Sequence, residues 1–132
     1  MFQTDKTIRL HHTDGAGVIY FAQLFTLAHE CYEAFLDTVL PLRTILDQGQ
    51  ILMPITHAEA DYQKPIRVGD RLAVTVTLGA QTEHSFTLNY TFKKGETQVA
   101  TASTRHVVVS ADFSGKSKIP AELRQALETL AL

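Results

Sequence analysis

Apolar residues in the first third of the chain recur at three- and four-residue spacing. Tyr20, Leu24, Leu27, Ala28, Cys31, Phe35 and Leu36 make one stripe, which predicts an amphipathic helix over residues 19–37. Pro41 ends that helix or sits just beyond it, and a short irregular or helical piece, residues 42–47, leads to Gly49. On either side the period is two. Residues 3–11 alternate weakly and end at His11-His12, an opening strand. Residues 51–62 form the next. Leu72, Val74, Val76 and Leu78 alternate with Ala73, Thr75 and Thr77, as Phe86, Leu88, Tyr90 and Phe92 do with Thr87, Asn89 and Thr91. Lys94-Gly95-Glu96 reads as a hairpin turn into a long last strand over residues 97–110. Leu123, Ala126, Leu127, Leu130 and Ala131 give a C-terminal amphipathic helix that starts near Pro120.

Strand, long helix, four successive strands and a terminal helix describe an α+β domain. Hairpin-joined strands make a mostly antiparallel sheet of about five strands, and the apolar stripe of the long helix needs that sheet as its cover. With 132 residues and no repeat or low-complexity linker, the expectation is one domain spanning residues 1–132. A sheet covered by one helix leaves open edges, which pairing between identical subunits would close. A homodimer is therefore the expected minimal unit.

Composition narrows the function. Apolar residues are 45% and charged residues 20%, which suits a folded domain and not a disordered tail. A net charge of -2 with scattered lysines and arginines argues against nucleic-acid binding. No stretch nears the roughly 18 apolar residues of a membrane span, and the N-terminus has no secretory pattern, so a cytoplasmic location is expected. The single cysteine, Cys31, excludes an internal disulfide and falls in the helical stripe, where it reads as a small buried hydrophobe.

Chemistry gathers in His12-Thr13-Asp14-Gly15-Ala16-Gly17-Val18-Ile19-Tyr20-Phe21, where a carboxylate sits in a glycine turn just before the long helix. A helix N-terminus presents unpaired N–H groups able to polarise a carbonyl oxygen. A carboxylate beside it can act on the same carbonyl as nucleophile or as general base. Asp beside Gly is equally at home as a plain turn or cap residue. Gly15 and Gly17 suit both a turn and close backbone approach to a ligand.

Thr13-Asp14-x-x-Gly17-x-x-Tyr20-Phe21, with His29 and Glu33 farther along the helix, resembles the signature of the 4-hydroxybenzoyl-CoA thioesterase family of hotdog proteins. The resemblance continues through Met53-Pro54-Ile55-Thr56-His57-Ala58-Glu59-Ala60-Asp61-Tyr62, then Pro65-x-x-Val68-Gly69-Asp70 and Arg105-His106, nearly the whole chain. Within the family, the Pro-Ile-x-His-x-x-x-Asp-Tyr segment is most similar to the 1,4-dihydroxy-2-naphthoyl-CoA hydrolases of phylloquinone and menaquinone biosynthesis. The resemblance implies a hotdog fold and a thioester-cleaving enzyme that takes an aromatic acyl-CoA, uses no metal and no organic cofactor, and assembles as a dimer of dimers. It carries the catalytic carboxylate onto Asp14 and the carbonyl-polarising backbone onto Gly17, Tyr20 and Phe21. Some relatives grip the CoA phosphates through basic residues just before the third strand, where this chain has Thr82-Glu83-His84. Lys93, Lys94, Arg105, Lys116 and Lys118 remain as candidate cations, with Arg105 carried forward.

His29 and Glu33, spaced i, i+4, share a helix face. They read either as a surface pair or as residues lining the acyl pocket of a neighbouring subunit; His57 and Tyr62 divide in the same way between the pocket and ordinary packing. His11 and His12, adjacent on a strand, would point to opposite faces, which speaks against a shared metal centre. Two other function classes share these features: a thioesterase for another acyl-CoA or an acyl-carrier-protein thioester, and a non-catalytic acyl-CoA-binding module. Asp14 argues against the module, which has no use for a carboxylate beside the reacting carbonyl.

Overall fold

The structure is a computed structural model and describes residues 1–131. Strand β1 (Phe2–Thr7) precedes helices α1 (Gln23–Val39) and α2 (Leu42–Gln48). Strands β2 (Ile51–Leu52), β3 (Ile55–Tyr62), β4 (Arg71–Gln81), β5 (Ser85–Lys94), β6 (Thr97–Val107) and β7 (Val109–Ser110) follow, and helix α3 (Ala121–Glu128) closes the chain. Five strands form one antiparallel sheet in the order β1-β4-β5-β6-β3, and β2 pairs with β7 in a small second sheet.

The helix stripe and the strand alternation meet as the sequence requires. Leu24, Leu27, Ala28, Cys31, Tyr32, Phe35 and Leu36 of α1 are buried. They share one core with Leu72, Val74 and Val76 of β4 and with Phe86, Leu88, Tyr90 and Phe92 of β5. Residues of opposite phase, such as Thr75, Asn89 and Ser103, look outward from the sheet's other face, which no helix covers. The sheet bends where register slips, between Leu78 and Gln81 and between Phe92 and Lys93. At the first slip sits Gly79, where an added Cβ would come within 2.8 Å of Asn89 Nδ2 and 3.3 Å of the Thr87 carbonyl oxygen, so a side chain there would require the Asn89 amide to move aside. Helix α3 buries Leu123 and Leu127 at this end of the sheet, and Arg124 bonds Gln81 Oε1 and the Thr82 carbonyl, each at 3.0 Å.

Four boundaries differ from the sequence expectation. The opening strand stops at Thr7, and Leu10–His12 form a 3₁₀ turn, so His11 and His12 do not alternate across a strand; their rings lie 4.0 Å apart. The long helix starts at Gln23 and not near residue 19, because Ile19 is committed elsewhere: its N–H donates to the Ile66 carbonyl at 2.7 Å. The strand expected over 51–62 breaks at Met53-Pro54, since proline has no N–H to continue a ladder. The last strand breaks at Val108, whose N–H turns aside to the His84 carbonyl at 2.8 Å.

Candidate active site

Residues 13–19 fold back on themselves as a tight hairpin. Thr13 bridges Ile19, the Asp14 N–H donates to the Val18 carbonyl at 3.0 Å, and the Tyr20 N–H donates to the His12 carbonyl at 2.8 Å. Gly17 turns the chain with φ +80°, a conformation L side chains rarely adopt. Val18 bridges Arg67, which ties the hairpin to the loop after β3. The closed hairpin carries Asp14 on its first arm and leads directly from its second into α1.

Asp14 is solvent-exposed. Its Oδ1 accepts the Ala16 N–H at 2.8 Å, which orients the carboxylate while Oδ2 has no partner among the described residues. This geometry suits a nucleophile or base: one oxygen anchored, the other available.

The donors opposite it differ in part from expectation. The Gly17 N–H is spent on the Asp14 carbonyl at 3.2 Å, and the Tyr20 N–H on His12. The first-turn amides of Gln23, Leu24 and Phe25 bond back to Tyr20, Phe21 and Ala22. Two N–H groups at the helix entry, those of Phe21 and Ala22, have no acceptor among the described residues. Of the three amides expected to polarise a carbonyl, those of Gly17 and Tyr20 close the hairpin, while that of Phe21 and the unexpected Ala22 N–H are left without acceptors among the described residues. Periodicity hid Ala22 by placing it inside the helix, where its N–H would have been an ordinary first-turn amide.

Beside this turn opens a cleft of about 460 Å³, walled by Val18, Phe21, Tyr62, Lys64, Pro65 and Ile66 among others. The Tyr62 hydroxyl, expected to meet substrate, donates instead to the Phe21 carbonyl. Lys64 brings a cation to the cleft wall and has no ion pair among the described residues. It was absent from the candidates for the CoA phosphates, two of which are engaged: Lys94 with Asp70 at 2.8 Å and Lys118 with Glu83 at 3.2 Å.

The remaining candidates lie elsewhere. His57 and Arg105 are register partners on β3 and β6, exposed and in the outward phase, so they sit on the face of the sheet away from α1. His57 pairs there with Glu59 at 3.4 Å. Neither of them lines the cleft beside the hairpin. His29 and Glu33 do meet, Nδ1 to Oε1 at 3.2 Å. His29 also borders a second cavity of about 170 Å³, together with Tyr32, Leu42, Leu46, Met53 and His106. In that wall His106 is buried, stacked on Phe86 with centroids 4.8 Å apart, and its Nε2 lies 2.9 Å from the Thr104 hydroxyl. Burial foremost, helped by the nearby His29, pushes the His106 imidazole down to about 4, so it is neutral at physiological pH. Thr104 was not singled out in the sequence, and His106 entered only in the Arg105-His106 resemblance without a role, although both occupy the inward phase of their strand. Among the described residues no three His, Cys, Asp or Glu side chains converge on a point, and no helix is long and apolar enough to cross a membrane.

A long helix laid on a bent five-stranded antiparallel sheet defines a hotdog domain, and its helix entry carries an anchored carboxylate beside two amides without acceptors among the described residues. The chain belongs to the Thioesterase-like superfamily, whose model matches residues 8–127. It is 37% identical to the 1,4-dihydroxy-2-naphthoyl-CoA hydrolase of Synechococcus elongatus, over 98% of this chain and 97% of that one. It is 35% identical to the enzyme of the same name from Nostoc punctiforme, over 97% of this chain and 87% of its relative. The crystal structure of a 1,4-dihydroxy-2-naphthoyl-CoA thioesterase from Synechocystis superposes with a TM-score of 0.90 at 33% identity, covering 98% of this chain and 96% of the other.

Proposed function

We propose that this chain hydrolyses an aromatic acyl-CoA thioester, 1,4-dihydroxy-2-naphthoyl-CoA, to the free acid and CoA. The observation that carries the reading is the Asp14 carboxylate, held by one oxygen on the hairpin that delivers the unpaired Phe21 and Ala22 amides. The thioester carbonyl oxygen points at those amides, and the negative charge that develops on it is met by fixed donors and the positive end of the α1 dipole. Asp14 Oδ2 then attacks the carbonyl carbon, expelling CoA thiolate and leaving a mixed anhydride that water opens. In the alternative route Oδ2 takes a proton from a water that attacks directly. Both end in carboxylate and CoA. The choice of acyl group follows the full-length similarity to enzymes of that name.

Lys64 faces the CoA portion in the cleft, while His29 and Glu33 contact the aryl group bound at a neighbouring subunit's site. The active unit is a homo-oligomer: β3 is a sheet edge, seven of its eight residues are exposed, and Ile55 and Tyr62 are large apolar residues left open along it. The free, buried Cys31 suits a reducing cytoplasm.

Thiol release measured over a panel of thioesters tests the function. Dihydroxynaphthoyl-CoA should give the highest kcat/KM, above benzoyl-CoA, a short aliphatic acyl-CoA and an acyl-carrier-protein thioester. Preference for one of the last two would replace the proposed substrate. Binding of all four without thiol release would make the chain a binding module.

A further inference from the structure

The Phe21–Ala22 peptide has two ends. Its carbonyl oxygen accepts the Tyr62 hydroxyl from across the cleft, and its N–H, on Ala22, has no acceptor among the described residues. Among the described residues the one other donor to that carbonyl is the Leu24 N–H, at a long 3.4 Å. A peptide unit is planar, so its C=O and N–H point in opposite directions from one rigid plate. Holding the oxygen therefore aims the hydrogen. A donor on the carbonyl also polarises the amide and strengthens what its N–H can give.

From this geometry we infer that Tyr62 is a positioning residue: its hydroxyl holds the Phe21 carbonyl so that the Ala22 N–H, beside that of Phe21, is aimed and polarised toward the thioester oxygen. The inference rests on the thioesterase reading above. Tyr62 is well placed for it. It ends β3 in register with Ala100, in the inward phase and on the side of the sheet where α1 lies. Partial burial pushes its phenol above the ordinary value, so the hydroxyl keeps its proton and stays a donor throughout the neutral range. The neighbouring Phe21 ring is 61% exposed and holds the turn in place by little packing of its own, so a tether on the backbone has something to do.

Tyr62→Phe preserves the ring and deletes the hydroxyl. The expected result is a fall in kcat of about tenfold, while the dissociation constant of a non-hydrolysable thioester analogue changes by less than about twofold. The ¹³C resonance of a labelled carbonyl in that bound analogue should move back toward its position in free solution, because polarisation is lost. A residue that merely contacts substrate would instead weaken binding with kcat retained. A purely structural residue would lower thermal stability and leave the carbonyl resonance in place. Either result overturns the inference. If Tyr62→Phe folds poorly, 3,5-difluorotyrosine at position 62 keeps shape and hydroxyl but ionises near neutrality. Its kcat should then drop as pH rises through that ionisation while the wild-type rate does not, and coincident pH profiles would overturn the inference. Asp14→Asn separates the two levels. Full activity in that variant defeats the catalytic reading itself, whereas an inactive Asp14→Asn beside a fully active Tyr62→Phe defeats only the role given to Tyr62.

Discussion

Asp14 Oδ1 and the Ala16 N–H are 2.8 Å apart, and this one bond separates the two oxygens of the carboxylate by role. Oδ1 belongs to the turn, and Oδ2 has no partner among the described residues. Asparagine can keep the first role, since its side-chain oxygen accepts the same N–H, but an amide nitrogen in place of Oδ2 can neither attack nor take a proton. Asp14→Asn should therefore fold with a Tm near wild type and still bind the uncleaved thioester, while kcat falls by roughly 10²-fold or more, the low end for losing a positioned base. Steady-state thiol release, calorimetric unfolding and analogue titration check the three parts. A folded variant turning over at the wild-type rate would remove Asp14 from the mechanism.

His106 links the site to stability through pH. Unfolded, its imidazole titrates near the ordinary histidine value of about 6.5, whereas in the fold burial pushes it down to about 4. Between these values the unfolded chain holds the extra proton, so stability rises with pH across the window and is lost as pH falls through it. The difference amounts to about 3 kcal/mol when fully developed. His12, also lowered by burial, acts in the same direction. His106→Gln should be less stable at pH 7 yet show a flatter stability curve between about pH 6.5 and 4. Urea unfolding at half-unit pH steps measures this, and parallel curves for the two proteins would refute the assignment.

The α1 stripe and the five main strands were readable because burial repeats with the period of each element, and that repetition averages over single exceptions. The start of α1 was not readable to better than four residues. Tyr20, four residues before Leu24, continues the stripe beyond the helix, while Ile19 lies out of phase with it and its backbone is tied to Ile66; periodicity does not record whether a partner covers a residue. The same blindness merged β2 with β3, although Pro54 marked the break, and it placed Tyr20 among the helical residues when its ring is 46% exposed. At the site, Asp14 was readable because carboxylate, glycines and helix entry are contiguous in sequence. The Tyr62–Phe21 contact spans 41 residues, and nothing local to either residue announces it. Thr104 and His106 did carry a signal, two polar side chains in the inward phase beside Ala100 and Ala102, which only a position-by-position reading of that strand exposes.

Lys64 lies on the cleft wall without a carboxylate partner, and CoA brings phosphates. Charge reversal should show whether the two meet. Lys64→Glu is expected to raise KM for the acyl-CoA about fivefold to tenfold, on the order of 1 kcal/mol for a solvent-exposed pair, with kcat unchanged. The effect should shrink in high salt, as exposed charge interactions do. The matching pantetheine thioester lacks the nucleotide phosphates and should be indifferent to the substitution. Equal weakening toward both substrates would place Lys64 against the acyl group or the pantetheine arm.

His29 and His57, alike in the sequence as candidates for the acyl pocket, should behave differently because the sheet separates them. His29 borders the 170 Å³ cavity lined by Tyr32 and His106. Its Nδ1 faces Glu33, so Nε2 is the nitrogen left for a ring hydroxyl. His29→Ala should narrow the preference for a dihydroxylated ring over an unsubstituted one by several-fold, chiefly through KM, and hold turnover on the better substrate within about tenfold, roughly 1.4 kcal/mol. Both terms depend on losing one hydrogen bond to substrate with the Asp14 machinery untouched. His57→Ala removes a side chain from the outer face of the sheet, beside Arg105, and should alter neither ratio nor rate. Competition between the two thioesters in one reaction vessel reads the preference directly, free of errors in enzyme concentration. A change in selectivity for His57→Ala equal to that for His29→Ala would mean that the outer face of β3 meets the substrate, and the acyl site would then have to be drawn across the edge strand.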